Sequence, residues 1–286
     1  MESLPNALFK YLPPTRVGVV KSLMIRFTQA SSMNDTLEFK PPIKGVASDE
    51  ALTKIAYEGL KPDMWSRTSA QNKETLERLC PGLPTLVGEV ILQQTKDKLI
   101  DQIKQRHAKN PQAVFRVTDH SFGILSLSEV ATDIRMWGHY GDGGRGFLIE
   151  FDPKHGWFQT KVADNDSFRH LRQVKYVSSR PARFLLETTE DEFLYTKWDA
   201  WQDEKEWRII KNFNNHAKRL DSVDPYGNEV LLFDISPGAI VSVVAGFSSS
   251  SELRESLKSA LAENPLLAHV RLKFANQSDE TGIITV

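Results

Sequence analysis

Two carboxylates one residue apart, followed two positions later by an arginine, are the groups in this chain whose types and spacing best suit chemistry. They lie in Trp201-Gln202-Asp203-Glu204-Lys205-Glu206-Trp207-Arg208-Ile209-Ile210. Read as a strand, the segment turns Glu204, Glu206 and Arg208 to one face and Trp207 and Ile209 to the other, because strand side chains alternate. Two readings fit that pattern. One is a solvated face, where a Glu/Arg ion pair contributes about 0 to 1 kcal/mol. The other is an active-site carboxylate on a rigid element, with its neighbour as a second acid/base group and the arginine as its orienter.

A catalytic carboxylate needs partners from elsewhere in the chain, and one dense segment offers them. Phe122-Gly123-Ile124-Leu125-Ser126-Leu127-Ser128-Glu129 alternates as a strand, Met136-Trp137-Gly138-His139-Tyr140 reads as a short helical turn, and Gly146-Phe147-Leu148-Ile149-Glu150-Phe151 as a strand. The glycine-rich stretch Gly141-Asp142-Gly143-Gly144 precedes a strand rather than joining a strand to a helix. It therefore reads as a hairpin turn and not as a dinucleotide fingerprint. The plainer reading of Met136 to Tyr140 is a core-filling turn whose histidine is satisfied by backbone.

Around these segments the coarse pattern has three regions. Residues 7 to 46 read as short strands and loops, with Met24-Ile25-Arg26-Phe27-Thr28 the clearest strand and Asn34-Asp35 as turn chemistry after it. Residues 48 to 110 read as helical: Ser48-Asp49-Glu50 caps a start, Leu86 to His107 is apolar at helical spacing, and Pro81 and Pro84 divide the region. From Ala113 onward strands dominate, through Ala239 to Val244. A helix is expected from Ser251 to Glu263, capped by the serines at 248 to 251 and ended by Asn264-Pro265, and then a strand from His269 to Phe274. There are no repeats and no low-complexity linker. The expectation is a single α+β domain over residues 1–286 with a helical insertion at about 48–110.

Composition bounds the function classes. With 286 residues, a net charge of −1 and 40% hydrophobic content, the chain can bury a large core. Nothing approaches the run of about 20 apolar residues that a membrane helix needs. Met1-Glu2-Ser3-Leu4-Pro5 has neither the basic start nor the apolar core of a secretory signal, so a cytoplasmic protein without membrane association is expected. The single cysteine, Cys80, leaves no internal disulfide or thiolate zinc cluster. The histidines show no pair at metal-ligand spacing, and no metal is expected. Neither a phosphate loop ending in Gly-Lys-Ser/Thr nor a Gly-x-Ser-x-Gly elbow occurs. Near-zero net charge speaks against broad electrostatic nucleic-acid binding. One basic stretch, Arg169 to Arg183, holds His170, Arg172, Lys175 and Arg180 around Tyr176 and would suit phosphates and a stacked base. Alternatively, Gln173 to Val177 is an edge strand shielded from mispairing by charge.

Lys10-Tyr11, Arg26-Phe27-Thr28 with Asn34-Asp35, Leu125 to Glu129, Met136 to Tyr140, Arg180-Pro181, Lys197-Trp198, Glu204 to Arg208 and Val244-Ala245-Gly246 follow one another in an order that resembles a bacterial family of uncharacterised proteins. That family is marked by Met-Trp-x-His-Tyr and Glu-x-Glu-Trp-Arg segments, and the resemblance covers most of the chain. The motif order is in turn similar to that of ADP-ribosyltransferases, some of them toxins or antiphage effectors: an early strand contacting the dinucleotide, a middle strand with serine, and a late strand bearing Glu-x-Glu. Family members commonly carry an arginine just after the Lys-Tyr pair, whereas Leu12 and Pro13 stand here.

The resemblance implies an ADP-ribosyltransferase-like split β-sheet core and an NAD-dependent transferase. NAD would be co-substrate, a nucleic acid (RNA or DNA) or a protein the acceptor, and an antitoxin protein a further partner. In NAD the nicotinamide is already a cationic leaving group, so the difficulty is the positive charge developing on ribose. Glu206 would bind the ribose hydroxyl and stabilise that charge, and Glu204 would orient or deprotonate the acceptor. Trp137 or Tyr140 would stack on nicotinamide. Lys10, with Tyr11 beside it, Ser126 and His139 would hydrogen-bond ribose or phosphate, and Arg172, Lys175 and Arg180 would hold a nucleic-acid acceptor. Two other readings stand beside it: a non-catalytic binding module of a toxin or defence system, and an NAD glycohydrolase in which water replaces the acceptor.

Overall fold

The computed structural model describes residues 3–35, 38–40, 42–45, 47–51, 119–161, 166, 168–184 and 187–286. It is a mixed α+β structure with several sheets and few helices among those residues. The chain divides into two compact units, one of Met1–Lys40, Arg116–Ser179 and Glu190–Val286, the other of Pro41–Phe115 and Arg180–Thr189. Apart from residues 48–51, the insertion expected at 48–110, with its Leu86 to His107 helix and Cys80, lies outside the described residues.

The strands in chain order are β1 (Leu8–Leu12), β2 (Met24–Arg26), β3 (Ile43–Gly45), β4 (Phe122–Ser128), β5 (Phe147–Phe151), β6 (Arg172–Gln173), β7 (Lys175–Val177) and β8 (Arg183–Phe184). They continue with β9 (Thr196–Trp198), β10 (Glu206–Asn212), β11 (Lys218–Val223), β12 (Glu229–Asp234), β13 (Ile240–Ala245), β14 (Arg271–Phe274), β15 (Asn276–Gln277) and β16 (Ile284–Thr285). Four helices are named here: α1 (Gly18–Ser22), α2 (Ile134–Tyr140), α3 (Glu190–Leu194) and α4 (Ser251–Ala262). In the second unit β3 and β8 pair in parallel.

In the first unit a seven-stranded sheet runs β14-β13-β5-β1-β4-β10-β6. Every neighbouring pair is antiparallel except β13 and β14, which are parallel and joined through α4. The α4 stretch starts where the serines place it, with the Ser250 hydroxyl accepting from the Leu253 amide. Leu253, Leu257 and Ala260, at helical spacing, press one face of α4 into the main core. Alternation along the strands supplies the rest of that core: Leu8 and Leu12, Leu125 and Leu127, Phe147, Ile149 and Phe151, Trp207 and Ile209, all buried. The opposite face carries two smaller apolar clusters, one around Tyr11, Trp137, Leu148 and Val244, the other around Ile124, Ile210, Phe39 and Tyr195. Between them the polar positions Ser126, Ser128, Glu206 and Arg208 interrupt the face. A second sheet, β11-β12-β2, takes up the Met24 strand. Among the described residues no helix is long and apolar enough to cross a membrane.

Two local expectations change. Residues 18–22 form a short helix, stopped by Leu23 in the left-handed region (φ 53°). The Gly141 to Gly144 stretch is not a hairpin, because β1 lies between β4 and β5 in the sheet. Instead it closes α2, through amides of Gly141 and Gly143 that donate to the Trp137 carbonyl, and leads into β5. Gly146 is needed there because a Cβ would overlap the Leu12 carbonyl at the start of the β1–β5 ladder. Gly146→Ala is expected to cost about 1–3 kcal/mol through overpacking, read as a lower midpoint in urea denaturation. An unchanged midpoint would mean that β1 and β5 separate freely at this end.

Candidate functional site

The edge of β4 away from β10 meets two different segments. Phe9 of β1 bridges Ser128, and Thr28, just beyond β2, exchanges both backbone hydrogen bonds with Ile124 at 2.8 and 2.9 Å. All five residues of β1 pair with β5, so the sheet falls into two halves that touch at one bridge and then part. In the fork, level with Ser126, the Lys10 ammonium donates to the Ser126 carbonyl at 2.9 Å. A hollow of about 100 Å³ opens here, lined by Lys10, Thr28, Asn34, Ser126, Tyr140, Lys197, Glu204 and Glu206 among others.

Glu206 and Arg208 begin β10 opposite Ser128 and Ser126 and point into this hollow's face, as period two requires. Glu204 arrives differently from the expected strand. It ends a 3-10 turn (Asp199–Glu204), and Lys205 sits in the left-handed region (φ 43°, ψ 55°), so β10 starts only at Glu206. The Ser128 hydroxyl donates to the Glu204 carbonyl at 2.6 Å and fixes that corner. The two carboxylates still converge, because both accept from Lys197 Nζ, Glu204 Oε2 at 2.6 Å and Glu206 Oε2 at 3.1 Å.

The cluster is dry and densely charged. Glu38, Lys197, Glu204, Glu206 and Arg208 are each no more than 6% exposed. Arg208 donates from Nε to Glu206 Oε1 at 2.7 Å, from one terminal nitrogen to Glu206 Oε2 at 2.9 Å, and from the other to the Leu194 carbonyl at 2.6 Å. It also forms an ion pair with Glu38. Tyr140 donates its hydroxyl to Glu204 Oε1 at 2.7 Å and receives the Asn34 amide at 2.8 Å. The Tyr176 hydroxyl accepts the Glu206 backbone N–H at 2.8 Å. These surroundings exclude the solvated-face reading of the Glu-x-Glu-x-Arg pattern: buried charges persist where partners compensate desolvation.

Burial shifts the protonation equilibria. It pushes the Glu206 carboxyl up, opposed by Lys197 and reinforced by Glu204. It would lower Lys197, but Glu206 and Glu204 outweigh it and hold that ammonium above the usual lysine range. Lys10 goes the other way: burial brings it down to about 8, against the pull of Glu206 and Glu204. Burial, then the Glu204 charge, keeps the Tyr140 phenol protonated well above its usual range.

Of the residues expected from sequence, Lys10, Tyr11, Ser126, Tyr140, Glu204 and Glu206 line one hollow. Trp137 does not. It is fully buried, donates its indole N–H to the Ala131 carbonyl at 2.9 Å and packs edge-on against Tyr11 and Phe247, so it has no face to offer a nicotinamide ring. His139 projects to the exposed side of α2, 5.9 Å from the Trp201 ring. Tyr11 donates its hydroxyl to the Val130 carbonyl at 2.8 Å, which ties its polar end to the fold. Arg172 and Lys175 both bond Asp191, and the Arg172 guanidinium lies 4.1 Å from the Tyr195 ring centre, so this pair of cations is already engaged. Arg180 belongs to the second unit. The edge-strand reading of this stretch holds for Arg172–Gln173, the outermost strand of the sheet, while Lys175–Val177 pairs with β9.

Lys197, Glu38 and Asn34 line the hollow without having been given a site role from sequence. A lysine inside the otherwise strand-like run Leu194-Tyr195-Thr196-Lys197-Trp198 was the available signal for Lys197, since lysine is almost never fully buried unless paired. Glu38 carries no local signature; Asn34 reads only as turn chemistry, and Tyr176, which reads as a ring for a stacked base, instead accepts the Glu206 backbone N–H. Among the described residues no group of three or more His, Cys, Asp or Glu is arranged to hold a metal ion.

A family model described as a protein of unknown function (DUF2971) matches residues 136–209. That stretch runs from within α2 to within β10 and includes Tyr140, Lys197, Glu204, Glu206 and Arg208. No curated protein and no solved structure matches the chain.

Proposed function

We propose that the chain cleaves the nicotinamide–ribose bond of NAD and transfers ADP-ribose, with the fork between β1 and β4 as its active site. The observation that carries the reading is convergence. An early strand gives Lys10, a middle strand Ser126 and a late strand Glu206; β1, β4 and β10 are neighbours, and all three residues line the hollow together with Glu204. A sheet divided at one bridge, with the polar groups in the gap, is what an ADP-ribosyltransferase-like split core calls for.

In this reading the C–N bond breaks and its electron pair leaves on nicotinamide. Cationic ribose forms beside Glu206, the acceptor's O–H or N–H adds to the anomeric carbon, and the proton passes to Glu204. Glu204 and Glu206 share one ammonium, which keeps the acid that meets the ribosyl cation and the acid that takes the acceptor's proton at the same end of the hollow. Ser126 hydrogen-bonds Glu206 and occupies the place a ribose hydroxyl would take. The hollow, about 100 Å³, is smaller than the roughly 150 Å³ that encloses a benzene. It therefore suits part of a ribosyl ring, with the rest of the dinucleotide outside and the Met33–Asn34 segment displaced as the ring enters.

The test is chromatography of NAD incubated with the purified chain, with and without cell lysate. Released nicotinamide with label on a macromolecule supports transfer, released nicotinamide with free ADP-ribose points to hydrolysis, and intact NAD in both conditions rejects the reading.

Lys10 gives this site a pH signature. In the folded chain its cation is lost above about 8, whereas an ordinary exposed lysine keeps it up to 10.5. Between those values the unfolded state binds more protons, so this group adds stability as pH rises, while its attraction for an anionic substrate fades. KM for NAD is expected to rise above pH 8 in the wild type and to stay flat in Lys10→Met. A wild-type KM that does not change there removes Lys10 from substrate binding.

A further inference from the structure

We infer that Lys197 is the positioning residue of the site: its buried ammonium holds Glu204 and Glu206 side by side and offsets the repulsion between them. This rests on the proposed reading of Glu206 as the group that meets the ribosyl cation. Lys197 sits mid-strand in β9 and is 2% exposed. Its Nζ is 2.6 Å from Glu204 Oε2, 3.1 Å from Glu206 Oε2 and 3.7 Å from Glu38 Oε2. An ammonium has three N–H donors in fixed tetrahedral directions, and here three acids surround it.

Arg208 cannot substitute for it. The guanidinium grips Glu206 and Glu38 but makes no bond to Glu204, whose carboxylate is held by Lys197 and the Tyr140 hydroxyl. Lys197 alone among these cations touches both members of the Glu-x-Glu pair. It does so from outside the sheet, at the level of the corner that the left-handed Lys205 creates. That corner carries Glu204 off the strand line, and Lys197 draws the carboxylate back beside Glu206. Without a cation at this point, two carboxylates in a dry hollow would repel, and one would take up a proton. The Trp201 ring, 5.2 Å from Nζ, covers the ammonium further.

The groups that face this pair are Glu38 and Asp35 from the segment after β2, Lys10 from β1, Tyr140 from α2, Tyr176 from β7 and Arg208 from β10. With Lys197 gone, Lys10 and Arg208 remain as cations against Glu38, Asp35, Glu204 and Glu206. The expected result in Lys197→Met is therefore an acid limb of the kcat–pH profile displaced to higher pH by about 1 to 3 pH units, with kcat down about a hundredfold at neutral pH and KM for NAD little changed.

A purely structural lysine would lower the amount of folded protein and leave the acid limb of the surviving fraction in place. The charge-balanced variant Lys197→Met with Glu38→Gln, which removes one charge of each sign, keeps the test available where the single variant fails to fold. Carbon-13 NMR titration of the glutamate carboxyls in wild type and variant reads the same displacement without any turnover. If wild type leaves NAD intact while the variant's Glu206 titrates higher, the NAD reading fails and the role of Lys197 stands. If neither the acid limb nor the carboxyl titration moves in a folded variant, the role of Lys197 is overturned.

Discussion

Glu206→Gln is expected to lower nicotinamide release from NAD by about 10²- to 10³-fold, the range seen when one preorganised stabiliser of transition-state charge is removed. Glutamine matches glutamate in shape and keeps one oxygen to accept from Arg208 Nε, now 2.7 Å from Glu206 Oε1. What it loses is the negative charge opposite the ribosyl cation, an interaction that exists only as the C–N bond opens. The loss should therefore appear in kcat with KM for NAD nearly unchanged. Folding should survive, because Arg208 retains Glu38 and Lys197 retains Glu204 as counter-charges. The measurement is nicotinamide release at saturating NAD, with circular dichroism and the urea midpoint as controls for the fold. A folded Glu206→Gln variant within about tenfold of wild type would falsify the assignment, since about 1.4 kcal/mol is too little for the group that faces the charge. Glu204→Gln offers the contrast: label transfer to an acceptor should fall further than the release of nicotinamide, because Glu204 acts on the acceptor.

Alternation made part of this site legible. The polar positions Ser126, Ser128, Glu206 and Arg208 interrupt one face of β4 and β10, and a period of two is visible in any strand that contains it. The fork itself was not. It forms because β1 inserts between β4 and β5, a pairing across more than a hundred residues that local patterning cannot contain, which is also why the Gly141 to Gly144 turn was misread as a hairpin. Glu204 and Glu206 were expected on one strand, and only the left-handed Lys205 shows that a corner separates them. Trp137 illustrates the opposite error. In a helix, residues four apart share a face, so Met136 and Tyr140 mark the inner side of α2 and Trp137 joins them in the core, whereas Gly138 and His139 fall outside. An aromatic beside a candidate histidine suggested ligand stacking, but its large apolar area went to the core, as it does for most buried aromatics. Of the cations that balance the site, Arg208 was expected as the orienter of the carboxylates, whereas Lys197 is marked only by its place in a strand-like run and comes from a separate strand, β9.

The largest stability effect is expected at Arg208. Its side chain is 1% exposed; Nε and both terminal nitrogens donate to Glu206 or the Leu194 carbonyl, Glu38 completes its ion pairs, and the guanidinium carbon lies 4.9 Å from the Phe39 ring centre. Arg208→Met keeps much of the volume but leaves Glu206 and Glu38 buried with less counter-charge and the Leu194 carbonyl without this donor. The cost should be about 3–5 kcal/mol, the range for breaking a buried ion pair from one side. Arg208→Lys should recover only part of it, because a single ammonium cannot reproduce the two-edged grip on Glu206 and the bond to Leu194 together. The pH dependence separates lost charge from lost packing. Burial already pushes the Glu206 carboxyl up; with the guanidinium gone it rises further, so the folded variant holds its proton over a wider pH range than the unfolded chain and the variant's deficit grows as pH increases. At acid pH, where both states are protonated at these carboxyls, that part of the deficit vanishes. Urea denaturation of wild type and Arg208→Met at acid and neutral pH should therefore show the two midpoints approaching each other in acid. Midpoints separated by the same amount at both pH values would mean that Arg208 stabilises the strand by packing alone, and that the carboxylates beneath it do not depend on its charge.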